Sequence, residues 1–179
     1  MEIRSRACSG VPAMAGLGWI LAALVHAATA AAAPAAGQLF ANHVVVRKAA
    51  HMLYLYHDKQ LLGAYPIELG LDPVGPKRRE DDFRTPEGHY LLERRNPRSD
   101  YFLSIQISYP NEQDEARAKR HHWAPGDDIM IHGTPNAPRL PGAYYRTQNW
   151  TNGCIALSDS NMIEVWMKTK DDTPIDIYP

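Results

Sequence analysis

The sequence predicts a mostly-β fold: a compact β-sandwich or partly closed barrel with two or three short helices. Three observations predict it. Apolar residues recur at every second position in several separate runs, the period of half-buried antiparallel strands. The runs are short, and Pro-, Gly-, Asp- and Asn-rich segments separate them, which is turn chemistry. Only two segments combine helical spacing with end signals. Many short strands and few helices point to a layered β domain.

Taken in chain order, a first strand is expected at residues 43–48. A second follows at 52–56, where Met52, Tyr54 and Tyr56 alternate with Leu53 and Leu55. Asp58-Lys59 turns the chain into a third strand at 61–68. Asp72-Pro73-Val74-Gly75-Pro76 and Thr85-Pro86-Glu87-Gly88 bracket a polar segment before a strand at 89–94, and Asn96-Pro97 marks a turn after it. The next strand is the clearest: Leu103, Ile105, Ile107 and Tyr109 alternate with Phe102, Ser104, Gln106 and Ser108. Asn111 then caps a helix over 112–121, whose acidic start and basic end complement the helix dipole. Pro125-Gly126-Asp127 turns into a strand ending at His132, with Ile129 and Ile131 on its opposite face. Residues 154–157 give a further strand. Ser158 or Asp159 caps a second helix to about 169, burying Met162, Ile163 and Trp166. Residues 174–178 close the fold.

The chain has 179 residues. Arg4 and Arg6 precede an apolar, alanine-rich run to about Ala33, with small-x-small sites between Ala28 and Ala36. That order reads as an export signal over residues 1–36; an uncleaved membrane anchor is the alternative. Residues 37–179 are expected to form one domain of ordinary size. The whole chain carries 19 Lys+Arg against 20 Asp+Glu, and without the leader 17 against 19. This near-neutral balance excludes a broad electrostatic footprint for nucleic acid. Membrane contact is expected only through an uncleaved leader.

Cys8 falls inside the leader, so Cys154 is the one thiol of the remaining chain. In an oxidising compartment such a thiol is a buried hydrophobe, half of an intermolecular bridge, or a nucleophile. His132, at a strand end and followed by Gly133, supplies the base a cysteine nucleophile needs. It either accepts the thiol proton or, as imidazolium, stabilises a thiolate. Gly153 leaves space beside Cys154, and the amides of Asn152, Gly153 and Cys154 are candidate oxyanion donors.

The motifs His132-Gly133 and Thr151-Asn152-Gly153-Cys154 resemble the L,D-transpeptidase (YkuD-type) catalytic domain, whose hallmark is His-Gly, a spacer and Ser/Thr-His-Gly-Cys. Tyr65-Pro66 through Leu69-Gly70, Pro73-x-Gly75-Pro76-Lys77, Arg84-Thr85-Pro86-Glu87-Gly88, Ile107-Ser108-Tyr109-Pro110 and Pro125-Gly126-x-x-Ile129-x-Ile131 look like the YafK-like branch of that family. The resemblance covers nearly all of residues 37–179. It implies a periplasmic or cell-envelope protein acting on peptidoglycan stem peptides. Cys154 would be the nucleophile, His132 the proton donor and acceptor, and Gly133 the backbone group orienting His132. Gly153, Asn152 and Thr151 would support the oxyanion. It further implies L,D-transpeptidation through a thioester resolved by an amine, with a wall-attached lipoprotein as one partner. Hydrolysis of the same kind of bond, as an L,D-carboxypeptidase or amidase, is the alternative, and a catalytically weakened wall-binding module is another. Two positions depart from the pattern. Asn152 stands where the wider family has histidine, and Ala156 where many members carry an arginine that meets substrate carboxylate.

Four further residues are candidates for substrate binding: Arg84, by charge complementarity to an acidic peptide, and Tyr145, Arg146 and Trp150, in a possible lid between His132 and Cys154. The run Lys77-Arg78-Arg79 reads as a solvated loop. No metal is expected: the His and Cys residues lack ligand spacing such as C-x-x-C or H-E-x-x-H. No phosphate loop or dinucleotide fingerprint is present, so no cofactor is expected.

Overall fold

The period-two runs pair as written in the sequence, and their inward residues form one apolar layer. The computed structural model describes residues 39–179; the leader expected over residues 1–36 lies outside them. The strands are β1 (His43–Arg47), β2 (Met52–His57), β3 (Gln60–Pro66), β4 (Gly88–Ser99), β5 (Phe102–Ile107), β6 (Met130–His132), β7 (Ile155–Ala156) and β8 (Pro174–Tyr178). They build an eight-stranded mixed sheet in the order β3-β2-β1-β8-β4-β5-β6-β7. β8 is inserted between β1, which it pairs in parallel, and β4, which it pairs antiparallel. The sheet does not close into a barrel.

Val44, Val46, Leu53, Leu55, Leu92, Ile105, Ile107, Ile131, Ile155, Ile175 and Ile177 are all essentially inaccessible and make up the core. Two helices flank it, α1 (Glu112–Arg120) and α2 (Asp159–Lys168), with one 3-10 turn at Tyr144–Arg146. Asn111 caps α1 in a full capping box with Asp114. Ser158, rather than Asp159, caps α2, its hydroxyl accepting the amide of Asn161 at 3.3 Å.

Two expectations need correction. Asn96-Pro97 does not end a strand: β4 continues to Ser99, and Pro97 falls in the register break between Asn96 and Ser99. A proline is tolerated there because it owes no ladder bond. In α2, Met162 and Val165 are the buried residues, whereas Ile163 is 46% exposed. The helix phase is set by its packing against β5, and a spacing of three from Met162 selects Val165.

Candidate active site

β6 and β7 are short parallel neighbours in which Ile131 pairs with Ile155 and His132 with Ala156. Alternation sends Ile131 and Ile155 into the core. The same alternation sends Met130 and His132, with Cys154 one step before β7, to the other face. His132 and Cys154 therefore share a cleft of about 370 Å³, lined also by Ser104, Asp128, Trp150, Thr151 and Asn152 and, across it, Asp100 and Tyr101.

His132 is 4% exposed. Its Nδ1 lies 2.7 Å from the carbonyl oxygen of Gly133. A carbonyl only accepts, so Nδ1 carries the proton and the neutral ring keeps its lone pair on Nε2. Burial pushes His132 down to about 4, the Gly133 bond opposing it. The ring packs against both Tyr101, at 4.7 Å between centroids, and Trp150, at 5.5 Å. Gly133 turns the chain immediately afterwards. Its amide reaches the carbonyls of Tyr101 and Leu103, and a Cβ there would stand 2.7 Å from Asp159 Oδ1 and 2.9 Å from Phe102 Cβ. Asp159, at the start of α2, accepts the amide and hydroxyl of Thr134 at 2.8 and 2.9 Å, so the strand end is clamped on both sides.

The Cys154 sulfur is half-buried and unbridged. It accepts the amide of Met130 at 3.4 Å and donates to the carbonyl of Asp128 at 3.6 Å. Burial raises the thiol above its ordinary value; the Met130 amide and the charge of Lys77 pull it down, and Asp128 pushes it up. The raised thiol and the lowered imidazole, which line the same cleft, are both uncharged at rest.

The turn before Cys154 is held by Thr151, which is buried. Its hydroxyl donates to the Cys154 carbonyl at 2.7 Å and accepts the Gly153 amide at 3.1 Å. That removes Gly153 from the oxyanion donors expected from sequence. The amides of Asn152 and Cys154 make no hydrogen bond to the described residues. Gly153 has φ of +131°, and a Cβ on it would lie 2.6 Å from the carbonyl oxygen of Arg84. Only glycine fits that approach. Residues 67–71 buttress the turn from outside: Glu68 and Ala156 exchange amide bonds of 2.9 and 2.8 Å, and Leu69 accepts the amides of Trp150 and Thr151 at 3.2 Å.

The structure brings Cys154, His132, Gly133, Thr151, Asn152, Gly153 and Trp150 together at this cleft. It places the other sequence candidates elsewhere. The Arg84 guanidinium forms a fork on Asp72 Oδ2, at 2.9 and 2.7 Å, outside the cleft; only its carbonyl reaches the nucleophile turn. Arg146 is exposed and lies beside a separate groove with Glu68 and Asn161. Tyr145 supports Trp150 from behind: the rings meet edge to face at 5.1 Å, and the Trp150 indole N–H donates to the Tyr145 carbonyl at 3.3 Å. Tyr101 and Asp100 were missed from sequence because the β4–β5 turn carries no chemical motif. Lys77 was read as part of a solvated run and is instead 3% exposed. Among the described residues no Lys or Arg lines the cleft, and Asp100 and Asp128 are its acidic ones. Among the described residues no group of three His, Cys, Asp or Glu is arranged to hold a metal, and no helix is long and apolar enough to cross a membrane.

The family model of the YkuD L,D-transpeptidase catalytic domain matches residues 41–177. The chain belongs to the L,D-transpeptidase catalytic domain family. A curated relative, YafK of Escherichia coli strain K12, itself only provisionally described as an L,D-transpeptidase, is 41% identical over 76 residues, covering 41% of this chain and 29% of the relative. Among solved structures, the helical cell shape determining protein Pgp2 of Campylobacter jejuni is 28% identical with a TM-score of 0.57, over 75% of this chain and 46% of that one. Bd1075 of Bdellovibrio bacteriovorus is 26% identical with a TM-score of 0.52, over 78% and 48%. An L,D-transpeptidase of Mycobacterium smegmatis is 16% identical with a TM-score of 0.50, over 76% and 58%, and shares the fold. The chain thus spans about half the length of these structures. L,D-transpeptidases are in general enzymes acting on peptidoglycan stem peptides in the cell envelope, and the fold described above is that of their catalytic domain.

Proposed function

We propose that this domain is an exported cysteine acyl-transferase acting on peptidoglycan stem peptides. The observation that carries the reading is the commitment of His132 Nδ1–H to the Gly133 carbonyl, which leaves Nε2 as a proton acceptor in the cleft that holds the Cys154 sulfur. Cys154 attacks the carbonyl of the third stem residue as its proton passes to Nε2, so neither group has to stand charged before substrate arrives. The S–C bond forms, and the amides of Asn152 and Cys154 meet the oxyanion. The tetrahedral adduct collapses with loss of the leaving amine, which takes the proton back from the imidazolium. The resulting thioester is resolved by an incoming amine, from another stem or a lipoprotein, giving a crosslink or an attachment.

Hydrolysis is the second reading. Ala156 is buried at the position where the family pattern has arginine, and among the described residues no Lys or Arg lines the cleft. An acceptor carboxylate therefore has no partner there, which favours water as the resolving nucleophile and an L,D-carboxypeptidase or amidase product.

Incubation with a stem tetrapeptide, with and without an amine acceptor, tests both by mass spectrometry. An acyl adduct on Cys154 is expected, and Cys154→Ala is expected to lose at least ~10³-fold in turnover. Amine-exchanged product identifies transpeptidation, and water incorporation identifies hydrolysis. Undiminished product from Cys154→Ala would sink the acyl-transfer reading. No product from the parent, with sacculus binding unchanged in Cys154→Ala, would leave a wall-binding module.

A further inference from the structure

Lys77 is a lysine almost without access to solvent, in a loop whose composition suggests the opposite. Its Nζ donates to Asp82 Oδ1 at 2.9 Å. Asp82 is in turn held by three backbone amides: Arg78 and Arg79 on Oδ2 at 2.7 and 3.1 Å, and Arg84 on Oδ1 at 3.1 Å. Burial pushes the Asp82 carboxyl up, but these bonds prevail and hold it below the ordinary carboxylate range. The loop is therefore folded around one buried ion pair. A pair so deeply placed is a poor source of net stability, because both ions give up hydration, so its retention invites another explanation.

That explanation lies in what the loop touches. The Arg84 carbonyl sits directly under Gly153, at the 2.6 Å approach already noted. The Glu80 amide donates to the Ala124 carbonyl at 2.8 Å. Lys77 Cε lies 3.5 Å from the Cβ position of Gly126. Residues 125–128 form the turn whose last carbonyl, that of Asp128, receives the Cys154 thiol, and Asp128 holds a left-handed φ of 53° to present it. Arg117 of α1 closes the arrangement from outside by donating to the Lys77 carbonyl at 3.0 Å. Lys77 thus stands where the floor under the nucleophile turn meets the turn that touches the sulfur.

We infer that Lys77 is a positioning residue for Cys154, a buried ammonium that joins the two backbone segments around the sulfur and supplies positive charge beneath it. The charged and titratable groups facing Cys154 are His132 from β6, Asp128 from the turn, Asp100 and Tyr101 across the cleft, and Lys77 from below. His132 is neutral at rest and Asp128 opposes a thiolate. Lys77 is the cation of this set, and its charge favours the sulfur as it loses its proton. This inference rests on Cys154 being the reactive thiol, but its test needs no wall substrate.

The test is iodoacetamide alkylation of Cys154 across pH 6–10 in the folded protein, followed by intact mass, with thermal melting in parallel. Lys77→Met is expected to move the alkylation midpoint to higher pH and to slow the reaction at pH 8 at least about threefold. Lys77→Arg is expected to keep the parent midpoint. Asp82→Asn, which leaves the cation without its counter-ion, is expected to move the midpoint the other way. A Lys77→Met midpoint that stays put or falls, with melting temperature lowered, would reduce Lys77 to scaffold and overturn the inference. Where Lys77→Met does not fold, Asp82→Asn decides: an acid shift supports the inference, and an unmoved or alkaline midpoint overturns it. Because the readout is the thiol itself, failure on stem peptides would count against the proposed function and leave this test standing.

Discussion

Beneath Cys154 lies a floor of backbone and buried charge; beside His132 stands a wall of stacked rings. In the floor, Gly153 meets the Arg84 carbonyl, Thr151 spans the turn with two hydrogen bonds, and the Lys77–Asp82 pair closes the loop. In the wall, Trp150 stacks on Tyr101 at 5.9 Å between centroids and meets Tyr145 edge to face. The floor has directional bonds and approaches too close for one extra methyl group. The wall has surfaces, and Tyr101 is 41% exposed. Directional, crowded contacts fail abruptly when altered, whereas ring stacking gives way by degrees. The difference teaches that the floor fixes the place of Cys154, whereas the wall holds the His132 ring.

Substitutions on the two sides should separate in size. The largest effect is expected from Gly153→Ala, which combines a disfavoured φ with a clash on the Arg84 carbonyl: a loss of about 4 kcal/mol in urea denaturation. A loss under about 1 kcal/mol would mean that the floor yields. Next is acid. The folded protein holds His132 at about 4, below its unfolded value of roughly 6.5. The unfolded chain therefore takes up a proton first as pH falls. The contribution is present in full above about pH 6.5 and is lost between there and pH 4. It amounts to about 3 kcal/mol, and this dependence should vanish in His132→Gln. Thr151→Val should cost about 2 kcal/mol by leaving the Cys154 carbonyl and the Gly153 amide without their shared partner, with alkylation of Cys154 altered at constant pH. Trp150→Ala, in the wall, should cost only about 1 kcal/mol of stability while lowering kcat/KM about tenfold. Equal stability losses for Thr151→Val and Trp150→Ala would erase the distinction.

Much of this was written in local pattern. The alternation through Ile105 and Ile107 places β5, the Asn111 cap starts α1, and His132 followed by Gly133 marks a strand end whose imidazole bonds the next carbonyl. What local pattern omits is pairing between distant segments. Nothing around residues 174–178 announces that β8 enters between β1 and β4, and the β4–β5 turn gives no hint that Tyr101 will stack on His132. Lys77 escaped for a related reason. A run of three cations reads as solvated, because the burial of one is decided by Asp82 and by a turn some fifty residues away. Arg84 shows the reverse case: its charge invited a substrate role, but Asp72 takes its fork and its backbone carbonyl is what meets the nucleophile turn.

The thiol held above its ordinary value, in a cleft it shares with an uncharged imidazole, has a consequence for the lifetime of the protein. Thiolates attack peroxides and disulfides far faster than thiols do. A sulfur that keeps its proton at rest meets those oxidants in its least reactive form. With no second cysteine among the described residues to rescue a sulfenic acid by forming a bridge, slow oxidation at rest is the protection this architecture offers.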